Sequence, residues 1–248
     1  MGSVYGTGWS MNGRAERALV AAILAAYVLL AAGFSLGPIF EGPDEIEHYR
    51  YIRTLADTGS LPDPRGQERG EYHQAPLYYM LLAPVMRLLP DDDFSAIDGR
   101  LNPYYGARIH LVGNDNKNIY LHSRAERFPY SDSPTAAAVH VLRLFSVLLG
   151  AGTVLTGYAI FRLLWSQRSA PRLLALSLVA FWPQFLFLSS VITNDILLIF
   201  LATLCLYWLL LYARDGPSRR NSAALGITLA LQAEIDAVYA AVEGATVT

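Results

Sequence analysis

The chain has 248 residues and a net charge of −2, with 53% hydrophobic and 16% charged residues. Its charged fraction is well below the ~25% of soluble domains and its apolar residues gather in runs, which excludes an ordinary soluble enzyme and points to a polytopic membrane protein. The charges are segregated by region, so the net charge carries no information about nucleic acid, which is not expected as a partner, and a single cysteine, Cys205, excludes an intrachain disulfide.

Residues 1–17 read as a short cytoplasmic leader closed by Arg14 and Arg17. The first apolar run, 18–40, is long enough to cross a hydrocarbon core of ~30 Å at ~1.5 Å per residue. It outruns the ~7–15 residues of a secretory h-region, so a retained span is expected rather than a cleaved signal. Residues 41–135 form a long, mostly polar loop. In it the sequence predicts a helix over 44–56, a turn at Asp57-Thr58-Gly59-Ser60, a Pro/Gly/Arg-rich connection, and an irregular lobe over 90–134. The apolar stretch 76–89 is interrupted by Pro84 and reaches only ~21 Å as a helix. It reads as a helix lying in the membrane interface, with Tyr78 and Tyr79 at headgroup level.

Three further spans are expected within 136–213: residues 136–164, 173–191 and 196–213. The 214–248 tail is atypical. It starts a fifth apolar run at Ala223, then meets Glu234, Asp236 and Glu243, each expensive near a bilayer helix centre at ~2.5–3.5 kcal/mol. The tail therefore reads as a cytoplasmic segment, with truncation as one explanation.

Arginine placement orients this topology. Arg14 and Arg17, Arg162, Arg168 and Arg172, and Arg214, Arg219 and Arg220 all fall on one side, the cytoplasmic one by the positive-inside rule. The opposite side receives the 41–135 loop, which holds fifteen acidic and ten basic residues. The expected fold is thus an all-α polytopic membrane protein with about four transmembrane helices, a cytoplasmic N-terminus and a long extracytoplasmic loop with short interfacial helices.

Candidate chemistry concentrates where the first run ends, at Glu41-Gly42-Pro43-Asp44-Glu45-Ile46-Glu47-His48-Tyr49. Pro43 suits a helix N1 position, which would put Asp44 and Glu45 in the first turn and Asp44, Glu47, His48 and Tyr51 on one face. A carboxylate and an imidazole so arranged can share a proton or hold a divalent cation, with Asp44 and His48 as the metal candidates. His73 and Gln74, ahead of the interfacial stretch, are candidates for contacting a lipid-linked phosphate or a sugar hydroxyl. His140 and Arg143 lie in the first turns of the second span, at a depth where ionisable groups face a cavity or partner. Asn194 and Asp195 suit an N-cap of the last span. Gly150-Ala151-Gly152 lies mid-span and suits close helix packing. No P-loop, dinucleotide glycine pattern, nucleophile elbow or zinc motif occurs.

Four landmarks in order, Pro43-Asp44-Glu45, His73-Gln74-Ala75-Pro76-Leu77-Tyr78-Tyr79, Arg143-Leu144-Phe145-Ser146 and Asn194-Asp195, resemble the N-terminal module of the C-type glycosyltransferase superfamily. That group includes protein O-mannosyltransferases and family 39-like enzymes that use polyprenyl-phosphate sugars. The resemblance covers roughly residues 18–213. It implies that Asp44 activates the acceptor or helps hold a metal, that Glu45 supports it, and that Asp195 is a second acid near the same cavity. It also implies that Arg143 lies near the lipid phosphate. Gln74-Ala75 departs from the family pattern, which has a lysine or histidine followed by proline.

The expected function is transfer of a sugar from a polyprenyl-phosphate donor to an acceptor on the extracytoplasmic face. Asp44, Glu45 and Asp195 are the catalytic candidates, and His48, His73, Gln74 and Arg143 the substrate-binding ones. The expected partners are the lipid-linked sugar, membrane lipid and other membrane proteins, with a divalent cation as the one cofactor considered. The alternative is a non-catalytic multi-pass subunit of a larger membrane complex.

Overall fold

A computed structural model describes residues 12–63, 70–105 and 118–246, with side chains to residue 232. The Pro/Gly/Arg-rich connection over 64–69 and most of the Asn-rich stretch at 114–118 lie outside the described residues. Among the described residues the chain is helical, with one isolated antiparallel bridge between Leu101 and Tyr120 and no named strand.

Three helices are long and apolar enough to cross a membrane: α1 (Gly13–Ser35), α5 (Pro134–Leu164) and α8 (Asp195–Asp215). At ~1.5 Å per residue each exceeds the ~30 Å hydrocarbon core. Helix α1 starts before the apolar run and takes in Arg14 and Arg17; it stops at Ser35, ahead of Gly37 and Pro38. The start of α5 is built in detail. Pro134 needs no N–H partner at N1, the Ser133 hydroxyl accepts from Ala136 N at 3.3 Å, and Thr135 N donates to Asp93 Oδ1 at 2.9 Å. Helix α8 ends at Gly216, whose φ of 79° suits a glycine C′ position, and Pro217 prevents continuation.

The expected span over 173–191 is not one helix. It divides into α6 (Ser169–Ala180) and α7 (Pro183–Leu188). Pro183 disfavours the helical region for the residue before it, and Trp182 is extended, at φ −66° and ψ 121°. The tail forms one helix, α9 (Arg219–Thr246), so the acidic residues that make it a poor bilayer segment do not end it. Charge is compatible with helix formation even where it opposes membrane insertion.

The chain forms two compact units. The first comprises residues 12–34, 147–190 and 195–234. In it Gly150 allows α1 to approach closely, because a Cβ there would lie 1.8 Å from Tyr27 Oη and 2.6 Å from Ser189 Oγ. Tyr27 donates to Ser189 Oγ at 2.6 Å and stacks on Phe185 at 5.5 Å. The second unit comprises described residues within 35–146 and 191–194, with the end of α9. Its centre is the pairing of α2 (Glu45–Thr58) with α3 (Leu77–Met86). Helix α2 stops at Gly59, in the left-handed region at φ 69°, whose N–H bonds Leu55 O. Phe40, Tyr49 and Phe94, the last from α4 (Phe94–Asp98), form an aromatic cluster with Tyr120. Arg50 and Arg53 lie over the Phe94 ring and pair with Asp98 and Asp91.

Candidate functional site

The expected placement of Asp44 inside the first turn of α2 is corrected by one position. Asp44 is the N-cap and Glu45 the first helical residue, with Pro43 outside the helix. Asp44 adopts φ 55° and ψ 9°, the left-handed region, and its carboxylate makes no capping bond. A non-glycine residue held there costs ~1–3 kcal/mol, and such strain gathers at functional sites. The Asp44 carbonyl accepts from Glu47 N and His48 N at 2.9 and 3.0 Å, so the backbone caps the helix by itself. The side chain is exposed and makes no hydrogen bond or ion pair among the described residues.

Glu45 is the opposite case. It is 0% exposed, and its carboxylate accepts four bonds. Arg143 Nε and Ile192 N reach Oε1 at 2.7 and 2.9 Å, and Arg143 Nη2 and Phe40 N reach Oε2 at 2.7 and 3.0 Å. Arg143 is 2% exposed and likewise saturated. Beyond Glu45, its Nη1 donates to Ser35 O and Gly37 O at 2.9 and 2.7 Å, and its Nη2 to Pro38 O at 2.9 Å. A guanidinium has five N–H donors, and all are used inside the protein. Arg143 therefore has none left for a lipid phosphate. It clamps the chain reversal after α1 onto the start of α2. His140, one turn earlier, supports the same reversal through Nδ1 and Ser35 O at 2.8 Å, and its ring stacks on Tyr130 at 4.2 Å.

Beside this clamp, His48 is buried and its Nδ1 lies 2.8 Å from Tyr79 Oη. Burial pushes its pKa down to about 4 against the opposing pull of Asp44 and Glu45, with His73 adding to the depression. The imidazole is therefore neutral near pH 7. Tyr79 stacks on Tyr51 at 3.9 Å, and Tyr78 Oη meets Ser146 Oγ at 3.0 Å. Both tyrosines are buried, which corrects the expectation of headgroup contacts. The side of α3 that stays exposed carries Met80, Leu81 and Val85 instead, with Leu88 exposed just past its end.

His73 and Gln74 belong to a polar group ahead of α3. His73 Nε2 lies 3.1 Å from Glu71 Oε2, and Gln74 Nε2 donates to the same oxygen at 3.3 Å. Asn194 Nδ2 donates to Gln74 Oε1 at 3.0 Å, and Val191 lies where a Cβ on Gly42 would meet it at 3.0 Å. The 191–194 segment is thus tied both to the Gly42–Glu45 turn and to Gln74. Spacing offered no signal for Asn194 and Ile192 in these roles, since their partners are more than a hundred positions away. Asp195 follows directly in sequence and opens α8 in the first unit.

A separate network holds the lobe. Glu41 accepts from Ile119 N and Tyr120 N at 2.8 and 3.2 Å, and His122 bridges Glu41 and Glu126 at 2.7 Å each. Burial opposes ionisation of Glu126, but bonds from His122 and Ser123, with Arg100 nearby, outweigh it and hold its pKa below the usual value. Among the described residues no group of three His, Cys, Asp or Glu side chains could hold a metal ion. Among them Asp44 and His48 find no third ligand, and Nδ1 of His48 is already engaged by Tyr79.

The family described as dolichyl-phosphate-mannose-protein mannosyltransferase matches residues 98–232, more than half of the chain. The matched stretch contains Arg143 and Asp195, while Asp44, Glu45, His48, His73 and Gln74 precede it. No curated protein and no solved structure matches the chain at a significant level.

Proposed function

The chain belongs to the dolichyl-phosphate-mannose-protein mannosyltransferase family, and on that premise we propose that it carries the acceptor-activating module of a membrane mannosyltransferase acting on the extracytoplasmic face. The donor class, a polyprenyl-phosphate-linked sugar, comes with the family. The face and the residue roles are our reading, and one observation carries it. Two adjacent carboxylates are treated oppositely: Glu45 is buried in four hydrogen bonds, while Asp44 is exposed on a strained backbone with no hydrogen bond or ion pair among the described residues.

In this reading Asp44 is the general base. It takes the proton of an acceptor hydroxyl within hydrogen-bond reach. The hydroxyl oxygen then bonds to the anomeric carbon of the sugar as the bond from that carbon to the phosphate oxygen breaks. Polyprenyl phosphate leaves with the bonding electron pair. Glu45 and Arg143 are positioning residues that set the Asp44 backbone, and His73, Gln74 and Asn194 form a polar wall suited to sugar hydroxyls. Among the described residues no metal-ligand set assembles, so the Asp44 role needs only the carboxylate itself.

The test is Asp44→Asn in membranes supplied with a polyprenyl-phosphate mannose donor. Transfer is expected to fall by at least about a hundredfold, the scale of a lost general base, with expression and melting temperature unchanged. Undiminished transfer would overturn the assignment. A wild-type chain inactive with every lipid-linked donor, and isolated in a stable complex, would favour the subunit alternative.

A further inference from the structure

The first unit contains a cavity of about 670 Å³ that the glycosyltransfer reading does not use. It lies among the N-terminus of α1, the C-terminal ends of α5 and α8, and the start of α6. Its lining includes Arg17, Arg162, Arg172 and Arg214, with Glu16 and Tyr158. We propose that this cavity binds a phosphate-bearing anion, which in a membrane is the headgroup of an acidic phospholipid.

Four guanidinium groups face one carboxylate, and that carboxylate is already committed. Glu16 accepts from Arg172 Nη2 at 2.6 Å, Ser169 Oγ at 3.0 Å and Tyr158 Oη at 2.8 Å. Arg172 is buried and held by the Trp165 and Ser166 carbonyls at 2.9 and 3.0 Å, yet its buried Nε has no hydrogen-bond partner. A buried, unpaired donor on a cationic group is costly unless a ligand meets it. Arg214 shares its charge with Asp215 at 2.6 Å. Arg17 and Arg162 make no salt bridge among the described residues; Arg162 has only the Tyr158 ring, 6.0 Å away.

Planar guanidinium groups match phosphate oxygens in pairs, and basic pockets between membrane helices suit anionic headgroups. Position supports the lipid as the source. The cavity lies where three membrane-crossing helices end together, so its mouth meets the membrane surface. The tyrosine ring beside the arginines suits that amphipathic depth.

The experiment uses the full chain in detergent micelles doped with phosphatidylglycerol or phosphatidylcholine, with retained lipid counted by native mass spectrometry. Phosphatidylglycerol is expected to be retained in preference. Arg17→Gln with Arg162→Gln should reduce that retention by about tenfold or more, as expected for two arginines near a headgroup. Both side chains are exposed, so the melting temperature should not move. Arg124→Gln with Arg127→Gln removes the same charge from the 90–134 lobe and should leave retention intact. If inorganic phosphate raises the melting temperature of the wild-type chain but not of the Arg17/Arg162 variant, without a lipid preference, the anion site stands with free phosphate as its occupant. Wild-type retention in the Arg17/Arg162 variant, equal loss in the Arg124/Arg127 control, or response to neither probe overturns the proposal.

Discussion

Arg143 and Asp44 show how far a residue's type is from its role. An arginine near a lipid-phosphate donor invites a phosphate contact, but its five donors are spent on Glu45 and three backbone carbonyls. Removing one partner of a buried ion pair costs ~3–5 kcal/mol because the other charge is stranded. Arg143→Leu should therefore lower the melting temperature sharply, and Arg143→Leu with Glu45→Leu should cost less than the two single changes together. Arg143→Lys supplies fewer donors without the planar fork, so stability should fall while the donor KM stays near wild type. A raised KM at unchanged stability would restore the phosphate role. His48 adds a pH signature. Its folded pKa of about 4 lies below the ordinary 6.5, so the unfolded chain binds more protons between those values and stability falls as pH drops from 6.5 toward 4. The scale is on the order of 3 kcal/mol, and His48→Gln should remove this component from a melting-temperature series. Glu126, held below its ordinary 4.5, shifts in the same direction, but because hydrogen bonds favour its charged form. Its stabilisation is present above 4.5 and is lost only as pH falls through its lower folded value.

At the scale of elements, helix starts and close approaches decide what the apolar runs become. Helix α5 begins at Pro134 because Ser133 and Asp93 serve its first turn, with Ser133 Oγ donating to Asp93 Oδ2 at 2.6 Å. Burial works against the charged Asp93, yet the bonds from Ser133 and Thr135 prevail and hold its pKa below the usual aspartate value. Asp93→Ala should cost ~1–2 kcal/mol, the usual worth of a helix cap, read as a lower melting temperature with the fold retained. Gly150 is the second such point. Its packing role was legible from a Gly-Ala-Gly run within a span. Its partners, Tyr27 and Ser189, were not, since they lie far away in the chain and meet only when α1 packs on α5. Gly150→Val should cost ~1–3 kcal/mol through overpacking, whereas Gly226→Val, where a Cβ meets nothing within 4 Å, should be nearly neutral.

For the molecule as a whole, the long helices expose apolar side chains, among them Leu29, Leu148 and Leu209. Such surface is an aggregation liability in water and a lipid contact in a bilayer. The multi-pass membrane character follows from the three long helices and the family match together. The orientation is a prediction from arginine placement. With Cys205→Ala as background, a cysteine at Ser131 should label with an impermeant maleimide from outside intact cells, and one at Ser218 only after permeabilisation. The reverse pattern would invert the topology and place Asp44 on the cytoplasmic side.

The amino-acid sequence alone determined the helical membrane class, the positions of α1, α5 and α8, the α2 and α3 helices of the loop, and the Asp44-Glu45 pair. These follow from local quantities: run length, helical spacing, cap residues and charge placement. Only the tertiary structure decided which of two adjacent carboxylates is buried, that Arg143 is a clamp, that Tyr78 and Tyr79 are core residues, and that Asn194 joins Gln74. It also placed arginines from four helices around one cavity. Each of those outcomes depends on groups that lie from about 30 to about 200 positions apart, and no local pattern encodes how such distant groups satisfy one another's hydrogen bonds once water is removed.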